Sequence, residues 1–128
     1  MERVKDIMTT EVVSVSAETP VYAAMRILVD SKITGLPVVG DDMVLEGVVS
    51  ERDMLEHLYG GAGEDGTVGD IMTREVVTYS PEDDLMDLCG ALVMHRFRCV
   101  PIVSDGKLVG LVSRGDIIQH LLRQRQEH

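Results

Sequence analysis

The sequence predicts a mixed α/β fold, of the α+β kind, built from two β-α-β-β-α units. The first supporting observation is a repeat: residues 6–13 read Asp-Ile-Met-Thr-Thr-Glu-Val-Val and residues 70–77 read Asp-Ile-Met-Thr-Arg-Glu-Val-Val. The second is that both copies end in Gly-x-x-Ser-x-x-Asp, at residues 47–53 and 110–116. A half of about 60 residues would bury only about 60% of its unfolded surface. We therefore expect the units to share a core, packed through their sheets about a pseudo-two-fold axis.

The first strand and helix of each copy follow from local patterns. Residues 12–15 form a short β-rich run, and Thr19-Pro20 then supplies a cap and a proline suited to a first helical turn. The helix that follows has apolar residues at i, i+3, i+4, i+7 and i+8, the spacing of a buried face. This predicted core stripe consists of Val21, Ala24, Met25, Leu28 and Val29 in the first copy and Leu85, Leu88, Cys89, Leu92 and Val93 in the second.

A β-hairpin is predicted after this helix in each copy. Its strands are residues 36–39 and 44–49 in the first copy and residues 100–103 and 108–112 in the second. The Asp105-Gly106 pair between two apolar runs is a strong hairpin signal. Pro37 and Pro101 are expected at the start or edge of a strand, where the missing N–H does no harm.

Residues 59–67 contain four glycines and are predicted to form a flexible linker. This linker separates a first predicted domain at 1–58 from a second at 68–128, which ends in a C-terminal helix. The strands are apolar at nearly every position, which indicates sheets that are covered on both faces.

The Gly-x-x-Ser-x-x-Asp endings have two interpretations. Ser50 and Asp53, like Ser113 and Asp116, have the spacing of a helix capping box, in which the serine and the acid satisfy free backbone N–H groups. The same hydroxyl and carboxylate, at the positive end of a helix dipole, can also hold the vicinal diol of a ribose whose phosphate lies nearby. One copy alone would favour the cap. Its recurrence at matched positions of a repeat favours a binding site.

Composition disfavours several classes of partner. The 128 residues include 22 acidic and 12 basic side chains, a net charge of −10, and so lack the clustered basic surface that nucleic acids require. No run approaches the ~20 apolar residues of a membrane span, and the amino terminus lacks the apolar stretch of a secretion signal. Cys89 and Cys99 do not form a disulfide pattern, which favours a reducing compartment, and we expect a cytoplasmic protein.

The sequence contains no catalytic motif. A nucleophile–base pair, a phosphate-binding P-loop and a metal-ligand spacing are all missing, so we expect neither catalytic residues nor a bound metal. Cys89, Cys99 and His95 are a weak metal candidate, because a free cysteine is commonly a small buried residue. His57 and His120 lie near polar helix ends, where exposure to solvent is favoured over catalysis.

With these motifs in this order, the chain resembles a tandem pair of cystathionine β-synthase (CBS) domains, the arrangement called a Bateman module. Each copy has the Asp-Ile-Met-Thr start, a Leu-Pro-Val or Val-Pro-Ile strand and the Gly-x-x-Ser-x-x-Asp ending, and the resemblance extends from about Val4 to Ile118. It implies a regulatory unit that binds adenosine-containing molecules such as AMP, ADP, ATP or S-adenosylmethionine. It also implies association into a disk-like homodimer.

The resemblance further implies roles for individual residues in two clefts between the repeats. Ribose hydroxyls would be held by Ser50, Asp53, Ser113 and Asp116. Adenine would be sandwiched and read at Val12, Val13, Pro37, Val76, Val77 and Pro101. Phosphates would be faced by Arg52, Arg98, Arg114 and Gly115. The position of Arg98 is Thr34 in the first copy, a departure from the family pattern that predicts unequal occupancy of the clefts.

Two functional classes fit these features. The first is a non-catalytic regulatory module, without an obligatory cofactor, whose adenosine-containing effector signals by conformational change to a separate protein partner. The second is a structural dimerisation module, in which the serine–aspartate boxes act only as caps. Short amphipathic helices on a small chain predict a homodimer in both classes, so ligand binding is the property that distinguishes them.

Overall fold

The computed structural model describes residues 2–61, 65–95 and 97–126. Within these ranges the helices and strands are α1 (Val21–Ser31), β1 (Gly35–Val39), β2 (Leu45–Ser50), α2 (Glu51–Tyr59), α3 (Val68–Ile71), α4 (Leu85–Met94), β3 (Cys99–Ser104), β4 (Lys107–Ser113) and α5 (Arg114–Gln126). Short 3-10 helices occupy Val4–Asp6 and Asp41–Met43. None of the described helices has the length and apolar character needed to cross a membrane.

The chain divides into two compact units whose limits differ from those of the sequence repeats. Residues 13–76 form one unit, which we call the Asp53 unit. The residues up to Val12 and those from Val77 onward together form the other, the Asp116 unit. Each unit therefore contains the helix and hairpin of one copy and the Asp-Ile-Met-Thr segment of the other. The domain limits of 1–58 and 68–128 concern the repeats and remain a prediction.

Each unit is built on a small antiparallel sheet. β1 pairs with β2 in the Asp53 unit, and β3 pairs with β4 in the Asp116 unit. The Asp-Ile-Met-Thr segment adds a bridge to each sheet: Thr73 exchanges backbone hydrogen bonds of 2.8 and 2.9 Å with Val48. Thr9 exchanges two bonds of 2.9 Å with Leu111 in the same way. The predicted mixed α/β fold is thus confirmed, with two small sheets.

The first predicted strand of each copy is much shorter than expected. In the Asp53 unit only Val15 pairs with β1, in parallel, and its N–H donates to the Pro37 carbonyl at 3.1 Å. The next rung of a parallel ladder would need an N–H on Pro37 to reach the Val13 carbonyl, and proline has none. Pro37 lies inside β1 rather than at its start, and it ends the pairing there. Tyr79 and Pro101 repeat this arrangement in the Asp116 unit.

A cluster of buried apolar side chains fills each unit. The clusters are Val15, Ala24, Leu28, Leu36, Val38, Val49, Met54 and Val68 in the Asp53 unit, and Val4, Leu85, Leu88, Leu92, Val100, Ile102, Val112 and Ile117 in the Asp116 unit. The predicted helix stripes are wrong at position i+8, where Val29 and Val93 are 75% and 78% exposed. At 3.6 residues per turn, position i+8 lies about 80° around the helix from position i, beyond the buried face.

The aspartate that opens the repeated Asp-Ile-Met-Thr motif caps a short helix. In α3, Asp70 Oδ2 accepts the Thr67 N–H at 3.0 Å and the Thr67 hydroxyl at 3.1 Å. These hydrogen bonds hold the pKa of Asp70 below its ordinary value. Asp6 likewise accepts the Arg3 N–H at 2.8 Å. Helix capping alone therefore explains why an aspartate occurs at this position in both copies, as Asp6 and Asp70.

Gly47 of β2 allows the close approach of the segment that ends in Thr73. A Cβ at Gly47 would lie 2.6 Å from the Thr73 carbonyl oxygen, whereas one at Gly90 of α4 would meet nothing within 4 Å. We expect Gly47→Ala to lower the free energy of unfolding by about 1–3 kcal/mol and Gly90→Ala to raise it by about 0.5–1 kcal/mol through helix propensity. Urea denaturation measures both changes. A Gly47→Ala protein as stable as the wild type would contradict the close approach.

Candidate functional site

Ser50 and Asp53 form a hydrogen-bonded box at the start of α2. The Asp53 N–H donates to Ser50 Oγ at 3.2 Å, while the Ser50 N–H and hydroxyl donate to Asp53 Oδ2 at 2.8 and 3.1 Å. Ser50 is extended (φ −117°, ψ 168°) because it is both the last residue of β2 and the helix cap. The predicted cap is confirmed. It fixes one half-buried carboxylate and leaves its second oxygen, Oδ1, outside the box.

Ser113 and Asp116 form the matching box at the start of α5. The Asp116 N–H donates to Ser113 Oγ at 3.1 Å, and the Ser113 N–H donates to Asp116 Oδ2 at 2.8 Å. In the part of the chain that the structure describes, Asp116 Oδ1 accepts no hydrogen bond. With respect to the described residues, this carboxylate oxygen is open to an external donor.

The two boxes differ at the second carboxylate oxygen. In the Asp53 unit the Thr73 hydroxyl donates to Asp53 Oδ1 at 3.1 Å. Thr9 occupies the equivalent backbone position in the Asp116 unit, yet no hydrogen bond among the described residues joins its hydroxyl to Asp116. Of the two carboxylates, only that of Asp53 is already engaged by a threonine.

Cys99, which the sequence indicated only as part of a weak metal candidate, lies beside Asp116. It pairs with Ser113 across β3 and β4, as Gly35 pairs with Ser50 across β1 and β2. Burial raises the pKa of the Cys99 thiol, and the Asp116 carboxylate raises it further because a thiolate would add a second negative charge. A side chain is thus present beside Asp116 at a position where the other unit has none.

The central prolines leave two backbone carbonyls without a sheet partner. Pro37 and Pro101 are buried inside β1 and β3, and neither has an N–H to donate to the carbonyl of Val13 or Val77. Across the described ranges no hydrogen bond reaches these two carbonyls. The adjoining Val13 and Val77 side chains are 47% and 40% exposed. A carbonyl acceptor next to an exposed aliphatic side chain can bond the exocyclic amine of a purine and contact its face.

Positive charge gathers at the amino-terminal end of α5. The Arg114 N–H donates to the Arg98 carbonyl at 3.1 Å, so the two arginines are neighbours in space, and Gly115 follows in the chain. Both arginine side chains are exposed. A helix amino terminus with two exposed arginines beside it is suited to bind phosphate.

The corresponding end of α2 carries less free positive charge. The Glu51 N–H donates to the Thr34 carbonyl at 3.0 Å, so an acid and a threonine stand where the Asp116 unit has its two arginines. Arg52 Nε donates to Glu56 Oε1 at 3.0 Å on the same helix. The lower positive charge that the sequence indicated at Thr34 therefore extends to one further position, Glu51.

The predicted site residues divide between the units. The Asp53 unit contains Val13, Pro37, Ser50, Arg52, Asp53 and Val76, and the Asp116 unit contains Val12, Val77, Arg98, Pro101, Ser113, Arg114, Gly115 and Asp116. Val12 thus lies in the other unit from Val13 and Pro37, its predicted partners at the adenine. Val76 likewise lies in the other unit from Val77 and Pro101. Sequence reasoning missed Thr73 and Glu51, and it indicated Cys99 only as part of a weak metal candidate. Alignment of the two copies would have indicated the first, because Thr9 and Thr73 match within the repeated motif.

The metal candidate and the histidines named from the sequence can now be compared with the structure. Within residues 2–61, 65–95 and 97–126, no group of three or more His, Cys, Asp and Glu side chains is arranged to hold a metal ion. The expectation that His120 is solvent-exposed is wrong, because its side chain is 14% exposed and its Nε2 contacts Glu2 Oε2. Glu2 also accepts a hydrogen bond of 2.8 Å from Gln124 on α5. His57 Nε2 lies 2.7 Å from the Asp65 carbonyl oxygen.

Comparison with known proteins identifies the family. The family model described as CBS domain matches residues 4–60 and 68–123. The chain belongs to the CBS domain family. The CBS domain-containing protein YhcV of Bacillus subtilis is 34% identical over 119 residues, which cover 91% of this chain and 84% of that protein. The tandem CBS arrangement expected from the sequence is thereby confirmed.

Solved structures of CBS proteins match the whole fold. CBSX2 in complex with AMP is 33% identical with a TM-score of 0.89, covering 98% of this chain and 99% of that one. The CBS domain pair of protein MJ0100, in complex with 5′-methylthioadenosine and S-adenosyl-L-methionine, is 26% identical with a TM-score of 0.83, covering 94% and 99%. The chain spans 43% of an uncharacterized Methanocaldococcus jannaschii protein and 24% of a Nitrosopumilus maritimus inosine-5′-monophosphate dehydrogenase.

The thiol of Cys99 provides a test of the geometry around Asp116. In a Cys89→Ser background, alkylation of Cys99 by iodoacetamide should reach half its maximal rate above the ordinary thiol pKa of about 8.5. Adding Asp116→Asn should lower that midpoint, because a negative charge is removed while burial remains. Alkylation rates measured between about pH 7 and 11 give both midpoints. A midpoint that Asp116→Asn leaves unchanged would show that the thiol and the carboxylate are not neighbours.

Proposed function

We propose that the protein is a regulatory module without catalytic activity, which binds adenosine-containing ligands at its two serine–aspartate boxes. The observation that carries this proposal is the geometry of Asp53 and Asp116, each with one carboxylate oxygen fixed in a helix cap and the other outside it. A carboxylate held in this way is suited to accept hydrogen bonds from ribose hydroxyls. The AMP and S-adenosyl-L-methionine complexes of similar proteins support the choice of adenosine.

In this proposal Ser50 and Ser113 assist the two aspartates at the ribose. In one copy the adenine would lie against Val12 and Val13, with its amine bonded to the Val13 carbonyl. In the other copy it would lie against Val76 and Val77, with its amine bonded to the Val77 carbonyl. Pro37 and Pro101 would act mainly by keeping those carbonyls free, since both prolines are buried in their strands. The slot would need no aromatic side chain, because aliphatic groups can cover the faces of a purine.

The charge distribution favours phosphate at the Asp116 box. Arg98, Arg114 and the Gly115 backbone would face a phosphate at the amino terminus of α5. Arg52 could give similar help at the Asp53 box only by leaving Glu56, and the neighbouring Glu51 would repel an anion. We therefore propose that AMP, ADP or ATP binds more tightly at the Asp116 box, whereas the Asp53 box discriminates less between adenosine and its phosphates.

The module would act as a sensor of its ligand. AMP, ADP, ATP or S-adenosylmethionine would serve as the effector, and no obligatory cofactor is involved. A ligand that binds one conformation more tightly than another shifts the population toward it, and a separate protein partner would respond to that shift. We place this activity in the cytoplasm, in keeping with the free thiols of Cys89 and Cys99.

The ribose assignment is tested by titration calorimetry of AMP and adenosine into the wild type, Asp53→Asn and Asp116→Asn. Asparagine removes a charge-assisted hydrogen bond of about 1.5–3 kcal/mol, so affinity at the altered box should fall about ten-fold or more. Asp70→Asn is the matched control. It removes an aspartate from an equivalent capping box, with Thr67, that the proposal does not assign to the ligand.

Asp70→Asn should therefore lower stability and leave both affinities unchanged. If both Asp53→Asn and Asp116→Asn bind AMP as the wild type does, the ribose assignment is refuted. If the wild type binds none of AMP, ADP, ATP, adenosine and S-adenosylmethionine, the structural dimerisation module is the better description.

The alternative function, structural dimerisation, is favoured by apolar side chains that lie exposed on four helices. They are Tyr22 and Val29 on α1, Leu55, Leu58 and Tyr59 on α2, Met86, Val93 and Met94 on α4, and Ile118, Leu121 and Leu122 on α5. Several recur at helical spacing on one face, which suggests that a second copy of the chain covers them. A homodimer is part of both functional proposals.

The homodimer is tested by analytical ultracentrifugation at micromolar concentration, with and without AMP. We expect the wild type to sediment as a dimer and Val93→Glu to shift toward monomer, because Val93 is 78% exposed and its replacement leaves the core intact. Lys107→Gln is the control, since Lys107 is exposed at the start of β4 and on no helix. A monomeric wild type under both conditions would overturn the proposal.

A further inference from the structure

Thr73 occupies the carboxylate oxygen that a ligand at the Asp53 box would need. Its hydroxyl donates to Asp53 Oδ1 at 3.1 Å, while the Ser50 N–H and hydroxyl already take Asp53 Oδ2. Both oxygens of Asp53 are thus hydrogen-bonded within the unit. A carboxylate has about four acceptor positions and these donors take three of them, so a ribose diol that donates two hydrogen bonds must displace one donor.

The Thr73 hydroxyl is a donor that can be displaced without disturbing the helix cap. The Ser50 N–H belongs to the cap itself, and its displacement would leave this backbone donor without its acceptor, Asp53 Oδ2. Thr73 is exposed, and its backbone is held separately by two hydrogen bonds to Val48, at 2.8 and 2.9 Å. Rotation about its Cα–Cβ bond removes the hydroxyl from Asp53 without breaking either backbone bond.

We propose that Thr73 is an internal competitor of the ligand at the Asp53 box and so sets the affinity of that box. This inference rests on the function proposed above. Ligand binding at Asp53 exchanges the Thr73 hydroxyl for a ribose hydroxyl, so only the difference between the two hydrogen bonds contributes to affinity. The Asp53 box is the weaker ribose site for this reason, independently of the lower positive charge at the start of α2.

Thr9 provides a control within the same chain. It has the same two backbone hydrogen bonds to its neighbouring strand, at 2.9 Å to Leu111, and the same residue type. Among the described residues its hydroxyl makes no hydrogen bond to Asp116. Removal of the hydroxyl should therefore affect the Asp53 box and leave the Asp116 box unchanged.

The experiment measures adenosine binding at one box at a time by titration calorimetry. Asp116→Asn isolates the Asp53 box, and Thr73→Val in this background removes the hydroxyl while keeping the β-branched shape. We expect affinity to rise about three- to ten-fold, which corresponds to part of one charge-assisted hydrogen bond. Thr73→Ser, which keeps the hydroxyl, should bind as the parent does. Thr9→Val in an Asp53→Asn background should leave affinity at the Asp116 box unchanged.

The outcomes separate this inference from the proposed function. If the parent proteins bind adenosine and Thr73→Val leaves affinity unchanged or lowers it, Thr73 is not a competitor, although the ribose sites stand. An equal gain from Thr9→Val would also overturn the inference, because the two boxes would then not differ. If neither the parents nor Thr73→Val bind adenosine, AMP or S-adenosylmethionine, both the proposed function and the competitor role fail. Binding by Thr73→Val alone would support the competitor role most strongly.

Discussion

The hydrogen bond from a serine N–H to an aspartate carboxylate, 2.8 Å in both units, is the constraint on which the rest of each unit depends. It lets a strand become a helix at a single residue, because Ser50 ends β2 and caps α2 at once. No connecting loop intervenes, so the carboxylate is fixed relative to the sheet. A ligand that uses this carboxylate meets an acceptor already in place, with little ordering left to cost affinity.

The central proline of each unit acts through a hydrogen bond that it cannot make. Pro37 limits the parallel pairing to Val15. The residues before Val15 do not pair with β1, so the Val13 carbonyl has no sheet partner. A residue with an N–H at position 37 would extend the strand and occupy that carbonyl. Pro37 thus shortens the strand and leaves the Val13 carbonyl free to bind a ligand. Pro101 does this beside Val77 in the other unit.

Features determined by neighbours in the sequence were predicted well. The caps at Ser50 and Ser113 and the buried helix faces depend on spacings of three or four residues, which can be read directly. The first strands and the exposure of Val29 were predicted wrongly. Which pairing the missing proline N–H prevents, and where the buried face of a helix ends, depend on how the elements pack. The Thr73–Asp53 bond joins residues from different copies of the repeat, so no local pattern contains it.

The division of the chain after Val12 and after Val76 sets an order for its assembly. Every pairing of the Asp53 unit, including the bridge between Val48 and Thr73, lies within one continuous stretch. The Asp116 unit must instead join Val4 to Asp83, through a backbone bond of 2.9 Å, and Thr9 to β4. Contacts between distant residues form late because loop closure costs entropy. During synthesis residues 2–12 therefore have no partner strand until the chain from Val77 onward has been made.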